Sequence, residues 1–176
     1  LIASLSYFRI DYTNQIQALR GTPGLLTNPI YASFVKFNPT PTEVAALVNS
    51  GLPINAAINQ SQVTFIADGR RQNLGTSLMR GIDFSLGYEW EWGGVKLDAG
   101  VQGTYLLEYL FQAVPGAAFA NVKNTIGFSP RFRSQADLGA KFGGFRARAT
   151  WNYLNSYDNT SVSPIQKVRR YNTVDL

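Results

Sequence analysis

The run Gly81-Ile82-Asp83-Phe84-Ser85-Leu86-Gly87-Tyr88-Glu89-Trp90-Glu91-Trp92 is followed at once by Gly93-Gly94 and then by Val95-Lys96-Leu97-Asp98-Ala99-Gly100-Val101-Gln102. Every second residue of the first run is large and apolar, and every residue between is small, polar or acidic. Side chains alternate faces along a strand, so this pattern gives one apolar and one polar face. Glycines tolerate positive φ, and a Gly-Gly pair is a favoured two-residue hairpin turn. The turn predicts its own register: Trp92 faces Val95, Trp90 faces Leu97, Tyr88 faces Ala99 and Ile82 faces Tyr105. On the other face Glu91 meets Lys96, and Glu89 meets Asp98 in a like-charge pair.

The unit recurs around Gly143-Gly144. Phe132, Ala136, Leu138, Ala140 and Phe142 precede the turn on the apolar face, and Phe145, Ala147, Ala149, Trp151 and Tyr153 follow it. Arg131, Arg133, Gln135, Asp137, Lys141, Arg146, Arg148, Thr150 and Asn152 fall on the polar face. Two such hairpins in succession describe an up-and-down meander.

A first strand is predicted from about Ser4 to Ile16, with Phe8, Ile10 and Tyr12 on one face against Tyr7, Arg9, Asp11 and Thr13. Residues 17 to 76 hold most of the prolines and read as a long connection. Within it Thr40-Pro41-Thr42-Glu43 is a capping box ahead of a short helix through Val48, and Val63 to Ala67 reads as a strand ending at Asp68-Gly69. The other connections are predicted at 109 to 129 and 158 to 167, and a last strand begins at Asn172. Long links therefore alternate with two-residue turns, as in outer-membrane barrels, whereas loops this long count against a compact soluble domain.

Charged residues make up 15% of the chain and aromatic residues 13%, against about 25% charged in soluble domains. No run approaches the roughly 20 apolar residues of a helical span, and mean hydropathy is -0.10, which excludes helical spans but not barrel strands. Tyr88, Trp90, Trp92, Phe142 and Phe145 gather beside the tight turns; Tyr105, Tyr109, Trp151, Tyr153 and Tyr157 are expected toward the long links. Between them the apolar face is aliphatic, the arrangement of a strand crossing a bilayer.

Cys and His are absent, which removes disulfides, thiol chemistry, His-held metals and His-based triads. The formal charge of +5 is spread along the chain rather than clustered, so no nucleic-acid partner is expected. Glu89 with Glu91 or Asp98 is better read as electrostatic lining than as a hydrolase pair, and the glycines lack phosphate-cradle spacing. No enzymatic activity, cofactor or metal is expected. Asn59-Gln60-Ser61 and Asn159-Thr160-Ser161 match a glycosylation acceptor pattern of little meaning in a bacterial barrel.

The predicted fold is thus all-β: a fragment of an antiparallel up-and-down transmembrane β-barrel, roughly six strands of a wide one. Lumen-lining candidates are Asp83, Glu89, Glu91, Lys96, Asp98, Arg131, Arg133, Asp137, Lys141, Arg146 and Arg148. Lipid-facing candidates are Phe84, Leu86, Tyr88, Trp90, Trp92, Leu97, Val101, Leu138, Trp151 and Tyr153. The two hairpins are expected to offset each other's like charges through the strands at 95 to 107 and 130 to 142, with Asp98 and Lys141 as the bridging pair.

Several stretches, in order, resemble the C-terminal part of TonB-dependent receptor barrels: Tyr7-Phe-Arg-Ile-Asp-Tyr-Thr-Asn-Gln-Ile16, Asp68-Gly-Arg-Arg-Gln-Asn-Leu-Gly75, Arg80-Gly-Ile-Asp-Phe-Ser-Leu-Gly-Tyr88, Gly103-Thr-Tyr-Leu-Leu107, Asn152-Tyr153 with Ser156-Tyr157, and Thr173-Val-Asp-Leu176. The resemblance implies an outer-membrane transporter of a Gram-negative bacterium, with a plug inside a barrel of about 22 strands. It further implies import of a scarce nutrient such as an iron chelate, cobalamin or an oligosaccharide, with energy from the TonB complex. Leu1 opens in mid-strand and Leu176 closes an unfinished one, so residues 1 to 176 read as an excerpt lacking the plug and the closing C-terminal strand. The implied partners are outer-membrane lipid, the TonB complex through that plug, and an unidentified nutrient. A plugless porin-like or structural barrel shares the strands, and an upstream plug would exclude it. A soluble sugar-binding β-domain is the other alternative, distinguished by staying dissolved without detergent.

Overall fold

The computed structural model describes residues 1–51 and 58–176. Its strands in chain order are β1 (Ile2–Ala18), β2 (Val35–Phe37), β3 (Phe65–Ala67), β4 (Arg71–Trp92), β5 (Val95–Gln112), β6 (Ala120–Asn121), β7 (Phe132–Phe142), β8 (Phe145–Leu154), β9 (Tyr157–Asn159), β10 (Gln166–Val168) and β11 (Tyr171–Asp175). Helix α1 spans Pro41–Val48, and 3-10 turns span Pro29–Phe34 and Gln60–Gln62. No described helix is long and apolar enough to cross a membrane, which says nothing about strands. The chain divides into two compact units, residues 1–13, 76–112 and 118–176, and residues 14–75 and 113–117.

The main sheet runs β1-β4-β5-β7-β8-β11, six strands in chain order, with β6 pairing the far end of β5. It is an open antiparallel meander with β1 and β11 at its ends. The first hairpin has the register its turn predicts: Trp92 faces Val95, Trp90 faces Leu97, Glu89 faces Asp98 and Ile82 faces Tyr105. Gly93 and Gly94 have φ of 59° and 79°, the conformation for which two glycines were needed. In the second hairpin Phe142 faces Phe145 and Ala136 faces Trp151. The β5–β7 pairing sets Ala99 against Leu138 and Val101 against Ala136, so the apolar rows continue from hairpin to hairpin.

The structure corrects several boundaries. β4 begins at Arg71 rather than near residue 77, and β1 continues to Ala18, because the polar residues there pair their backbones instead of looping. Between Arg80 and Gly81 the register with β5 shifts by one residue: Gly81 faces Leu106 and Arg80 faces Glu108, leaving Leu107 unmatched. Residues 155 to 170 are not a simple link but carry the small hairpin of β9 and β10. In β1 the faces are the reverse of the expectation. The ring of Phe8 lies over Gly81, which shares its face with Asp83, so the even residues of β1 ahead of Asn14, whose φ of 57° breaks the alternation, belong with the polar set. Leu5 and Tyr7 therefore continue the apolar face, and Arg9 and Asp11 follow at its end. Trp151 also sits deeper than expected, level with Ala136 and Val101 in the aliphatic band.

The second unit has its own small core of Leu19, Tyr31, Leu74 and Val114, packed with Leu25, Ile30, Phe34 and Ala117. β2 and β3 form a hairpin that places Phe37 against Phe65, ring centres 6.5 Å apart. Helix α1 has the predicted capping box: the Glu43 backbone N–H donates to Thr40 Oγ1, and the Thr40 backbone N–H donates to Glu43 Oε2 at 2.9 Å. Lys36 on β2 also donates to Glu43. That bond, then those donated to the carboxylate by the Thr40 backbone N–H and by the Thr40 hydroxyl at 3.0 Å, lower the Glu43 pKa from 4.5 to about 2. The Asp68 carboxyl likewise falls to about 2, held by the Arg70 side chain and backbone N–H.

A carboxyl with a folded pKa below its unfolded value stabilises above the unfolded value and loses that contribution as pH falls through the folded one. The α1–β2 contact is expected to be fully present above pH 4.5 and lost between there and about pH 2. An NMR titration of the Glu43 carboxyl in the folded receptor should show its midpoint near the lower value, and Lys36→Met should raise it.

Candidate functional site

The polar face of the main sheet carries the chemistry. Register places Glu89, Asp98, Gly139 and Arg148 in one row across β4, β5, β7 and β8; nearer the turns a second row holds Glu91, Lys96, Lys141 and Arg146. Asp83 and Arg133 lie further up the same face, each opposite Thr104, and Asp137 opposite Gly100. These candidates thus share a face, as the alternation requires. Phe84, Leu86, Tyr88, Trp90, Trp92, Leu97, Val101, Leu138, Trp151 and Tyr153 share the opposite one.

Arg131 departs from the set expected for it. Its guanidinium carbon lies 5.1 Å from the ring centre of Tyr105, a residue of the apolar face. The residue precedes β7, where strand alternation does not yet bind it.

The expected Asp98–Lys141 bridge is also replaced. Asp98 pairs with Arg148, and more loosely with Arg146 at 3.7 Å; Arg148 reaches Asp137 at 3.1 Å. Lys141 instead stands between Lys96 and Arg146, one step nearer the turns. The physical reason is the glycine row. Asp98 faces Gly139, which has no side chain, and its carboxylate leans across that gap to the guanidinium one strand further on. A Cβ on Gly139 would collide with the Asp98 carboxylate, and one on Gly100 would meet Asp137 Oδ1 at 2.7 Å. The acids of the first hairpin do meet the bases of the second, but over a glycine rather than directly.

Above this cluster lies an amide ladder that the sequence reading missed. Gln102 donates to Gln135 at 3.0 Å, Gln135 to Asn152 at 2.9 Å, and Asn152 to Asp175 at 2.8 Å and to Thr173 at 3.3 Å. It crosses β5, β7, β8 and β11 at one level. The turn registers would have shown Gln135 opposite Asn152, but the 109 to 129 connection hid the register of β5 with β7, though not their adjacency. The ladder floors a trough of about 700 Å³ whose walls include Asp83, Ser85, Thr104, Arg133 and Tyr171. Thr104 donates to Asp83 at 2.6 Å, while Arg133 has no carboxylate within 4 Å among the described residues. No cluster of metal-ligating side chains occurs among the described residues. In both acceptor-pattern tripeptides the asparagine oxygen accepts from the serine backbone N–H two residues on, an ordinary turn.

An open antiparallel meander with one continuous apolar face, one charged and amide-rich face, and tight turns at only one end is a section of β-barrel wall. The match of a family model confirms the class: TonB dependent receptor-like, beta-barrel, over residues 1–176. The chain belongs to this family, which is one of outer-membrane transporters. No curated protein and no solved structure matches it.

Arg148→Ala should leave Asp137 without a cation and Asp98 with Arg146 alone. The Arg148 side chain is 43% exposed, so each lost pair is worth about 0.2 to 1 kcal/mol and the variant should lose roughly 1 kcal/mol. Gly139→Val should displace the same carboxylate. In a denaturant melt of the detergent-folded receptor, the double variant should then lose less than the two singles together.

Proposed function

We propose that residues 1–176 form a section of the wall of a plugged barrel in the outer membrane of a Gram-negative bacterium. The receptor imports a scarce, bulky nutrient, an iron chelate, cobalamin or an oligosaccharide, using energy relayed from the TonB complex. The plug and the closing strand belong to the rest of the receptor. In this reading the apolar face meets lipid, and the polar face, with its charge cluster and amide ladder, lines the lumen.

The observation that carries the proposal is the height and limits of the apolar face. From Ile82 to Trp92 it spans about ten residue rises, about 33 Å along a strand, and a tilt near 40° leaves about 25 Å, the height of a barrel's lipid band. At the tight turns it ends in Trp92 and Phe145, 78% and 83% exposed. At the other end, just past Tyr105 and Ile82, the ion pairs Arg9–Asp11 and Arg80–Glu108 begin. Charges of that kind are costly beside acyl chains and cheap at the headgroups. A barrel this wide is hollow unless filled, and a face of ordered carboxylates, guanidinium groups and amides suits a wet, plugged interior.

These residues contain no cysteine, which makes single-cysteine labelling clean here. Spin labels at positions 86, 97 and 138 of the membrane-embedded receptor should be quenched by oxygen, and labels at 83, 102 and 137 by a water-soluble nickel chelate. The reverse pattern would end the lipid–lumen assignment. Uptake of the nutrient by cells should stop when the inner-membrane proton gradient is dissipated; uptake that persists would exclude TonB-type coupling.

A further inference from the structure

Just beyond the aromatic end of the apolar face, on the side of the long connections, lies a line of cations. Arg131 rests on the Tyr105 ring, Arg80 pairs with Glu108 with Nε and Oε2 3.3 Å apart, and Arg9 pairs with Asp11 at 3.0 Å. Lys123 donates to the backbone oxygen of Leu107, the unmatched residue beside Glu108, at 2.5 Å. Four cations thus meet two carboxylates. Among the described residues neither Arg131 nor Lys123 has a carboxylate within 4 Å, so the line carries an excess of positive charge. Directly below it is a packed aromatic row, with Tyr105 and Phe132 ring centres 6.2 Å apart, and Phe132 and Tyr153 5.7 Å apart.

We propose that this line is a binding rim for the phosphate groups of anionic lipids, with Arg131 and Lys123 as its principal ligands. The inference rests on the reading above that the apolar face meets acyl chains. Headgroup phosphates lie immediately outside the hydrocarbon, and that is the level at which the apolar rows give way to these cations. The Arg131 guanidinium, 5.1 Å from the Tyr105 ring centre, is a planar fork of N–H donors of the kind that binds phosphate in two-point fashion. Arg80 is already engaged by Glu108 and serves to hold Glu108 away from the incoming anion. A lipid is favoured over a soluble anion because the same molecule gains contact with the apolar band beneath. Free phosphate would gain only the charge.

The test uses the whole receptor reconstituted into nanodiscs of phosphatidylcholine alone or mixed with phosphatidylglycerol, with retained lipid counted by native mass spectrometry. Wild type is expected to retain phosphatidylglycerol selectively. Each of Arg131→Gln and Lys123→Gln should weaken retention about fivefold, and the pair about thirtyfold, with an effect that fades in high salt. Arg131→Lys should restore part of the loss. Lys96→Gln with Lys141→Gln, an equal charge change on the polar face, should leave retention unchanged. Equal retention by wild type and the Arg131/Lys123 pair overturns the proposal, as does an equal fall in the Lys96/Lys141 pair. Displacement of the lipid by millimolar inorganic phosphate would mark a soluble-anion site instead. A wild-type receptor that inserts normally but shows no selectivity refutes the rim alone; one that fails to enter either bilayer refutes the membrane reading with it.

Discussion

The glycine turn at 93–94 is the constraint on which the two faces depend. Because a two-residue turn fixes which residues stand opposite, and because side chains alternate strictly, a slip of one residue would carry Trp90 and Leu97 into the charged set and Glu89 and Asp98 into the apolar one. Nothing local to either strand prevents such a slip, since polar and apolar residues pair their backbones equally well. The second turn repeats the constraint, and the β5–β7 pairing joins the two registers into one. Every row described above, apolar or polar, inherits its composition from those few backbone angles.

On the polar face, side chains that are absent matter as much as those present. The glycines at 100 and 139 create shallow gaps into which Asp137 and Asp98 lean, and the carboxylates thereby come within reach of a single arginine. Without the gaps each acid would stand upright over its own strand, and the two would no longer share Arg148. These pairs are half-wet and individually modest. Their effect is to hold four side chains in fixed positions on a surface that would otherwise present them loosely.

Much of this was legible in the residues. Strict alternation, paired glycines and the capping box at Thr40 each correspond to a local backbone rule, and each appears in the structure. What was not legible depends on contacts between segments distant in the chain. The reach of Asp98 over Gly139 needed the β5–β7 register, which a connection of irregular sequence conceals. The reversed faces of β1 arose because Phe8, Ile10 and Tyr12 look apolar as a set, while their neighbour across the strand boundary, Gly81, offers an open place for an aromatic ring on the polar side. The stacking of Arg131 on Tyr105 fell outside the alternation because the residue lies just before its strand. The pattern thus describes the strands well and their junctions poorly.

The amide ladder has a sense of direction. From Gln102 through Gln135 and Asn152 each amide gives a proton to the next, and the series ends on the Asp175 carboxylate, which can only accept. An amide is free to turn over by half a rotation, so a row of them without such a terminus has two nearly equal settings. The charge at one end selects one setting for all three, with each amide nitrogen directed to the next residue toward β11. The row behaves as a line of aligned dipoles anchored at a single charge, so protonating or removing that carboxylate would release the alignment of side chains as far as three strands away.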